Sequence, residues 1–313
     1  MIALLLIPLL LPFTLPVLAR RALTRLDPVT VLRALTSCAL ACAGACVAAL
    51  GALVLIGLLK LSPFASLGDL VHPLRTPSDV IVLPAATLAT GALSLGAWTL
   101  ARSAVRQVRA FRTARTEADR RPAAGDLCVV DSPHPDAYAL PGRPHRIVVT
   151  TAMLRGLGPA EREALFAHER AHNAGGHHYF LAAAELAAHC HPALHATRAT
   201  IRLAAERAAD ESAAAAVGDR RLLAQAIARA ALAGNAQSST RPGFAPAATT
   251  GPVPQRVAAL LAPGDDRSNT RRWIALLVTV CAILPAAAAT TGVVALHHEV
   301  EVAQGEQTAA RVR

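Results

Sequence analysis

Hydrophobic and polar positions along the chain follow two different patterns. Four long apolar runs, Met1–Leu18, Cys38–Leu59, Val80–Leu100 and Trp273–Leu296, contain no Lys, Arg, Asp or Glu. Each approaches or exceeds the ~20 apolar residues that cross a bilayer, so each is read as a transmembrane helix. Pro84 lies inside the third run, where a membrane helix tolerates proline as a kink or packing point. Between the third and fourth runs the pattern changes to short segments. Leu127–Asp131, Ala137–Leu140 and Arg146–Thr151 are β-rich, separated by turns at Ser132-Pro133-His134-Pro135 and Pro141-Gly142-Arg143-Pro144. Helical periodicity follows. Gly158-Pro159 starts one helix and Gly175-Gly176 closes it. Tyr179–Ala188 is apolar but too short to span a membrane. A helix from Pro192 ends near Gly218, and Asp219 caps another that runs to Gly234. Ser238–Pro254 reads as a mobile loop, and Gln255–Leu261 as one last helical turn.

The fold class these elements predict is mainly α, with four transmembrane helices and a central α+β domain containing a small β-sheet. Three transmembrane helices and a basic linker fill residues 1–121, the central α+β domain 122–262, and a linker, the fourth helix and a short tail 263–313.

Charge then orients this scheme. The chain has 31 Lys and Arg against 21 Asp and Glu, a formal net charge of +10. Arg20, Arg21, Arg25 and Arg33 lie between the first two runs, and seven arginines from Arg102 to Arg121 follow the third. Arg267, Arg271 and Arg272 precede the fourth. By the positive-inside rule the central segment is cytoplasmic, and both termini lie outside a multi-pass plasma-membrane protein. The first run has no basic residues before it, so it reads as a span rather than a cleaved signal peptide. The arginine-rich stretch carries a single interleaved aromatic, Phe111, so direct nucleic-acid binding is the weaker reading and the lipid bilayer the expected partner. The six cysteines form no disulfide framework. Cys38, Cys42 and Cys46 share one face of a span and read as packing residues.

The candidate chemistry sits in the central segment. His168-Glu169-Arg170-Ala171-His172 places two imidazoles at i and i+4 on one helical face, where they can share a metal ion. Zn²⁺ is the metal this donor set favours, and a catalytic zinc needs three protein ligands and an open position. Glu206, on a later helix, supplies the third ligand. Asp210, one turn further on, can hold a ligand histidine by its second ring nitrogen. Glu169 stands beside the ligands as general base. His189, Cys190, His191 and His195 resemble a second metal cluster in composition, but their spacing fits no zinc pattern and they read as a polar helix junction.

Ala137–Leu140, Ile147–Thr151, the pentad and Glu206 to Asp210, in that order, resemble integral-membrane zinc metallopeptidases, above all the BlaR/MecR-type antirepressor peptidases. The heat-shock-type membrane endopeptidases and prenyl-protein peptidases share the two motifs more distantly. The resemblance implies that 122–262 is a zincin-like α+β metallopeptidase domain, with His168, His172 and Glu206 as zinc ligands, Glu169 as catalytic base and Asp210 behind a ligand. It implies a peptide or protein substrate, a cytoplasmic transcriptional repressor being the one such antirepressors cleave. The chain departs from penicillin-sensing members after the fourth run, where 17 residues replace their large sensor domain. The function expected is that of a membrane-anchored zinc endopeptidase in signal transduction. The alternatives are a quality-control membrane protease and a catalytically silent metal-binding sensor. The oligomeric state is not legible.

Overall fold

The computed structural model describes residues 7–61, 79–234 and 252–262, with isolated residues between 283 and 294. It is mostly helical with one small mixed sheet. Two described helices are long and apolar enough to cross a membrane, or three if a bent pair counts as one span. Most of the predicted fourth span, the Ser238–Gly251 stretch and the tail lie outside the described residues.

The first apolar run is not one straight helix. Ile7–Phe13 and α1 (Leu15–Arg25) meet at a 43° bend. Pro8, Pro12 and Pro16 account for the break, because each removes a helical N–H donor and fixes its own φ. The predicted basic loop is therefore largely helix. Arg20, Arg21 and Arg25 are exposed on α1, while Leu15, Ala19, Ala22 and Leu23 are buried on its other side.

Asp27 then caps α2 (Pro28–Leu59) by accepting a hydrogen bond from the Thr30 N–H at 3.1 Å. With 32 residues, α2 is longer than the bilayer's apolar core requires, and its two halves have different neighbours. Its leading half, Val31 to Ala43, shares one core with α1, α6 (His177–Cys190) and α7 (Leu194–Val217). Cys38, Cys42 and Cys46 are buried along it, as the packing reading expects. Its trailing half, Ala49 to Ile56, packs on Val82 and Ala89 of α3 (Asp79–Arg120). The third apolar run and the arginine-rich stretch are thus one continuous helix of 42 residues.

The far end of α3 reaches the sheet. Strand β1 (Ala123–Ala124) turns at Gly125, which has φ +67°, into β2 (Leu127–Val130). Strands β3 (Ala137–Leu140) and β4 (Arg146–Thr150) complete the order β1-β2-β4-β3. Strand β4 pairs parallel to β2 and antiparallel to β3, which leaves β3 at an edge. The period of two in β4 divides its side chains between faces. Val148 meets Ala114 and Ala118 of α3 on one face. On the other, Val149 meets Met153 of α4 (Thr151–Gly156) and Leu165 and Phe166 of α5 (Pro159–Ala174). Helices α8 (Arg220–Gly234) and α9 (Val253–Leu261) close the assembly against α5 and α7.

Candidate metal centre

The pentad helix α5 begins where the sequence predicts. Gly158 is its N-cap and donates its N–H to Glu161 Oε2 at 2.9 Å, with Pro159 in the first turn. Helical geometry turns Leu165 and Phe166 onto the sheet and His168, Glu169 and His172 toward α7. Helix α7 can come close because Ala204, Ala205, Ala208 and Ala209 are small and buried around Glu206. The two helices bring three side chains together. His168 Nε2 lies 3.0 Å from His172 Nε2, and Glu206 Oε2 lies 3.5 Å from the first and 3.6 Å from the second. One donor atom from each of the three falls within 4.8 Å of the others, and all three residues are buried. Glu169 is also fully buried.

The outward-facing ring nitrogens have partners as well. His168 Nδ1 is 3.0 Å from Asp210 Oδ1, within ion-pair range although not lined up as a straight hydrogen bond. Asp210 is thus behind His168, as its position one turn after Glu206 predicts. His172 Nδ1 is 2.8 Å from the Nδ1 of His177, a contact the sequence reading did not anticipate. Gly176, at φ +61°, makes it possible by reversing the chain between α5 and α6.

Arg256 is the second residue that sequence reasoning missed. It lies on α9 and is completely buried. Its Nε and Nη2 donate to Asp210 Oδ2 and Oδ1 at 2.8 and 2.7 Å, a two-pronged contact. Its Nη1 lies 3.1 Å from Glu206 Oε2. The only signal in the sequence was a helical turn after the Pro/Gly-rich stretch. Among 31 basic residues nothing marks this one.

The electrostatics follow from burial and these contacts. Burial alone would lower the His168 pKa, but Asp210 and Glu206 outweigh it and raise it to about 9. Burial dominates at His172 and His177, lowering them to about 4 and about 3. Burial opposes ionisation of Glu206, yet Arg256 and the two imidazoles hold its carboxyl well below the usual range. Asp210 is lowered too, burial being overcome mainly by Arg256.

His189, Cys190, His191 and His195 do not gather ligand atoms. His189 Nδ1 contacts the Thr99 hydroxyl at 3.1 Å, and the His191 ring packs edge-on against Phe13. Among the described residues, His168, His172 and Glu206 are the group able to hold a metal ion. His145 is exposed in the turn before β4.

Residues 108–196 match the profile of peptidase family M48. That stretch runs from the end of α3 through the sheet and the pentad helix to the start of α7, and stops short of Glu206. No curated protein and no solved structure matches the chain. The similarity and the His/His/Glu cluster together support a membrane-associated metalloprotease. They carry nothing specific to the BlaR/MecR type.

Proposed function

We propose that this protein is a membrane-anchored, zinc-dependent endopeptidase. The observation that carries the reading is the convergence of three buried donors from two helices, with Glu169 buried beside them. The donor set suits zinc, being two imidazoles and one carboxylate. The charge balance suits a divalent cation. With His168 neutral, as a metal ligand must be, the three carboxyl groups of Glu169, Glu206 and Asp210 face the single guanidinium of Arg256 in a buried cluster. A bound zinc ion would supply Lewis acidity toward a peptide carbonyl and toward water.

The chain's own groups do the rest. His168 and His172 present Nε2 as donors, and Glu206 presents Oε2. Asp210 holds His168, and His177 holds His172, in the tautomers that leave those nitrogens unprotonated. Arg256 positions Asp210 and Glu206 and offsets their charge. Glu169 accepts a proton from the attacking water and returns it to the leaving amine. Edge strand β3, packed on α5 through Ala137, is where an extended substrate adds a strand. The donors are shielded from solvent here, so a substrate must first open a path to them. By charge distribution the peptidase faces the cytoplasm beneath four spans, and a cytoplasmic repressor is the substrate that the antirepressor resemblance favours.

The test compares three substitutions. Glu169→Gln keeps size and removes the base, so metal content should persist while peptide cleavage falls by roughly 10²–10⁴. Glu206→Ala should lose the metal as well as activity, whereas His191→Ala should keep both. Wild-type turnover in the Glu169 variant, or full metal occupancy in the Glu206 variant, would end this reading.

A further inference from the structure

A cavity of about 480 Å³ opens between α3, α6 and α7, away from the metal centre. Ser103, Arg106 and Gln107 of α3, Glu185 of α6, and Arg198 and Arg202 of α7 supply its polar lining. Among the described residues the lining carries three guanidinium groups and one carboxylate. Glu185 is held in place from both sides. Ser103 Oγ donates to its Oε1 at 3.3 Å and Arg198 Nη1 to its Oε2 at 2.5 Å. The Gln107 Oε1 atom is buried with no hydrogen-bond partner. Its amide group can equally be turned to present its NH₂.

Position decides what such a cavity takes. The apolar run of α3 ends at Leu100, and Arg106 lies six residues on, about 9 Å along the axis. The head-group layer of a bilayer is roughly 5–8 Å deep on each side of its apolar core. The Arg106 backbone therefore lies at the outer edge of the head-group layer if α3 crosses the membrane, and its long side chain can reach back to phosphate depth. Leu88 and Leu95 precede it by 18 and 11 residues, close to whole numbers of turns, so they share its face of the helix. They are 74% and 64% exposed, so an apolar stripe leads down to the basic cavity. That combination suits an amphiphile with an anionic phosphate and an acyl chain, which an acidic peptide does not match.

We propose that this cavity binds the phosphate of an anionic phospholipid, with an acyl chain along Leu88 and Leu95. The site is separate from the peptidase chemistry, although Arg202 stands one helical turn before Glu206 on α7.

The full chain, purified from mixed micelles of phosphatidylglycerol and phosphatidylcholine, tests this by mass-spectrometric counting of retained lipid. Wild type should retain phosphatidylglycerol preferentially. Arg106→Gln with Arg202→Gln should weaken retention by about fivefold per arginine, the usual worth of a basic residue near an anionic surface. Arg109→Gln with Arg112→Gln removes the same charge from α3 outside the cavity and should change little. Glu185→Gln should strengthen retention, a gain that misfolding would not produce. Equal retention of the two lipids by wild type, or equal losses in the two arginine pairs, would overturn the proposal. So would displacement of the lipid by soluble glycerol phosphate, or by an acidic peptide at equal charge. The readout is lipid retention, so it fails or succeeds independently of the peptidase reading.

Discussion

Arg256 and Asp210 face each other in a two-pronged contact, Nε to Oδ2 at 2.8 Å and Nη2 to Oδ1 at 2.7 Å, with both side chains buried. Because Asp210 also lies against His168, the contact links α9 to the candidate metal centre through that histidine. Removing one partner of a buried pair leaves the other charge uncompensated, at a cost of about 3–5 kcal/mol. Arg256→Met should therefore lower the unfolding midpoint and the metal content together. Arg256→Lys keeps the charge but not the planar fork, and should recover part of each. Thermal unfolding in detergent with metal analysis checks this. A methionine variant as stable and as fully loaded as wild type would show that α9 is not tied to the site in this way.

The raised His168 pKa sets a direction for pH dependence. With that pKa at about 9, metal-free protein near neutrality carries a proton on this imidazole, and a metal ion must displace it. Affinity should then fall about tenfold for each unit of acidification below pH 9. His172, lowered to about 4, adds a second proton only in strong acid. Competition against a chromophoric chelator at about pH 6, 7 and 8 measures the slope. A flat affinity across that range would contradict the proton competition.

How much of this was legible in the sequence varied with how local each feature is. His168 and His172 are one turn apart, so a helix is enough to pair them, and Gly158-Pro159 announced that helix. Glu206 and Asp210 repeat the same spacing on α7, and only their approach to α5 needed tertiary structure. Arg256 was illegible because it comes 46 residues after Asp210, and its partners are set by how α9 folds back over α7. The first apolar run was legible in part. Its composition is that of a span, but composition does not show that its prolines bend it by 43° or that α1 packs on α7.

His177 gives a sharper test of how the ligands are held. For His172 to offer Nε2 to a metal, its Nδ1 must carry the proton and donate it to His177 Nδ1, 2.8 Å away. His177→Phe keeps the bulk and removes the acceptor, so metal affinity should drop by about 10–100-fold. His177→Asn restores an acceptor and should recover part of that loss. If phenylalanine and asparagine behave alike, the contact is packing rather than orientation.

The pairing of α2 with α3 depends on a missing side chain. A Cβ added at Gly57 would stand 2.5 Å from the Ala86 Cβ, closer than real carbon atoms approach. Ala86 has no flexible end to move aside, so the two helices would have to separate. Gly51, on the same helix, has nothing within 4 Å of a would-be Cβ. Small residues at the contact are what let membrane helices pack closely. Gly57→Ala should therefore destabilise by about 1–3 kcal/mol, the usual cost of overpacking. Gly51→Ala should be neutral or stabilising by up to about 1 kcal/mol, because alanine is the better helix former. Unfolding of both variants in the same detergent separates the two effects. Equal midpoints would mean that α2 and α3 do not meet at Gly57 in the bilayer-like state.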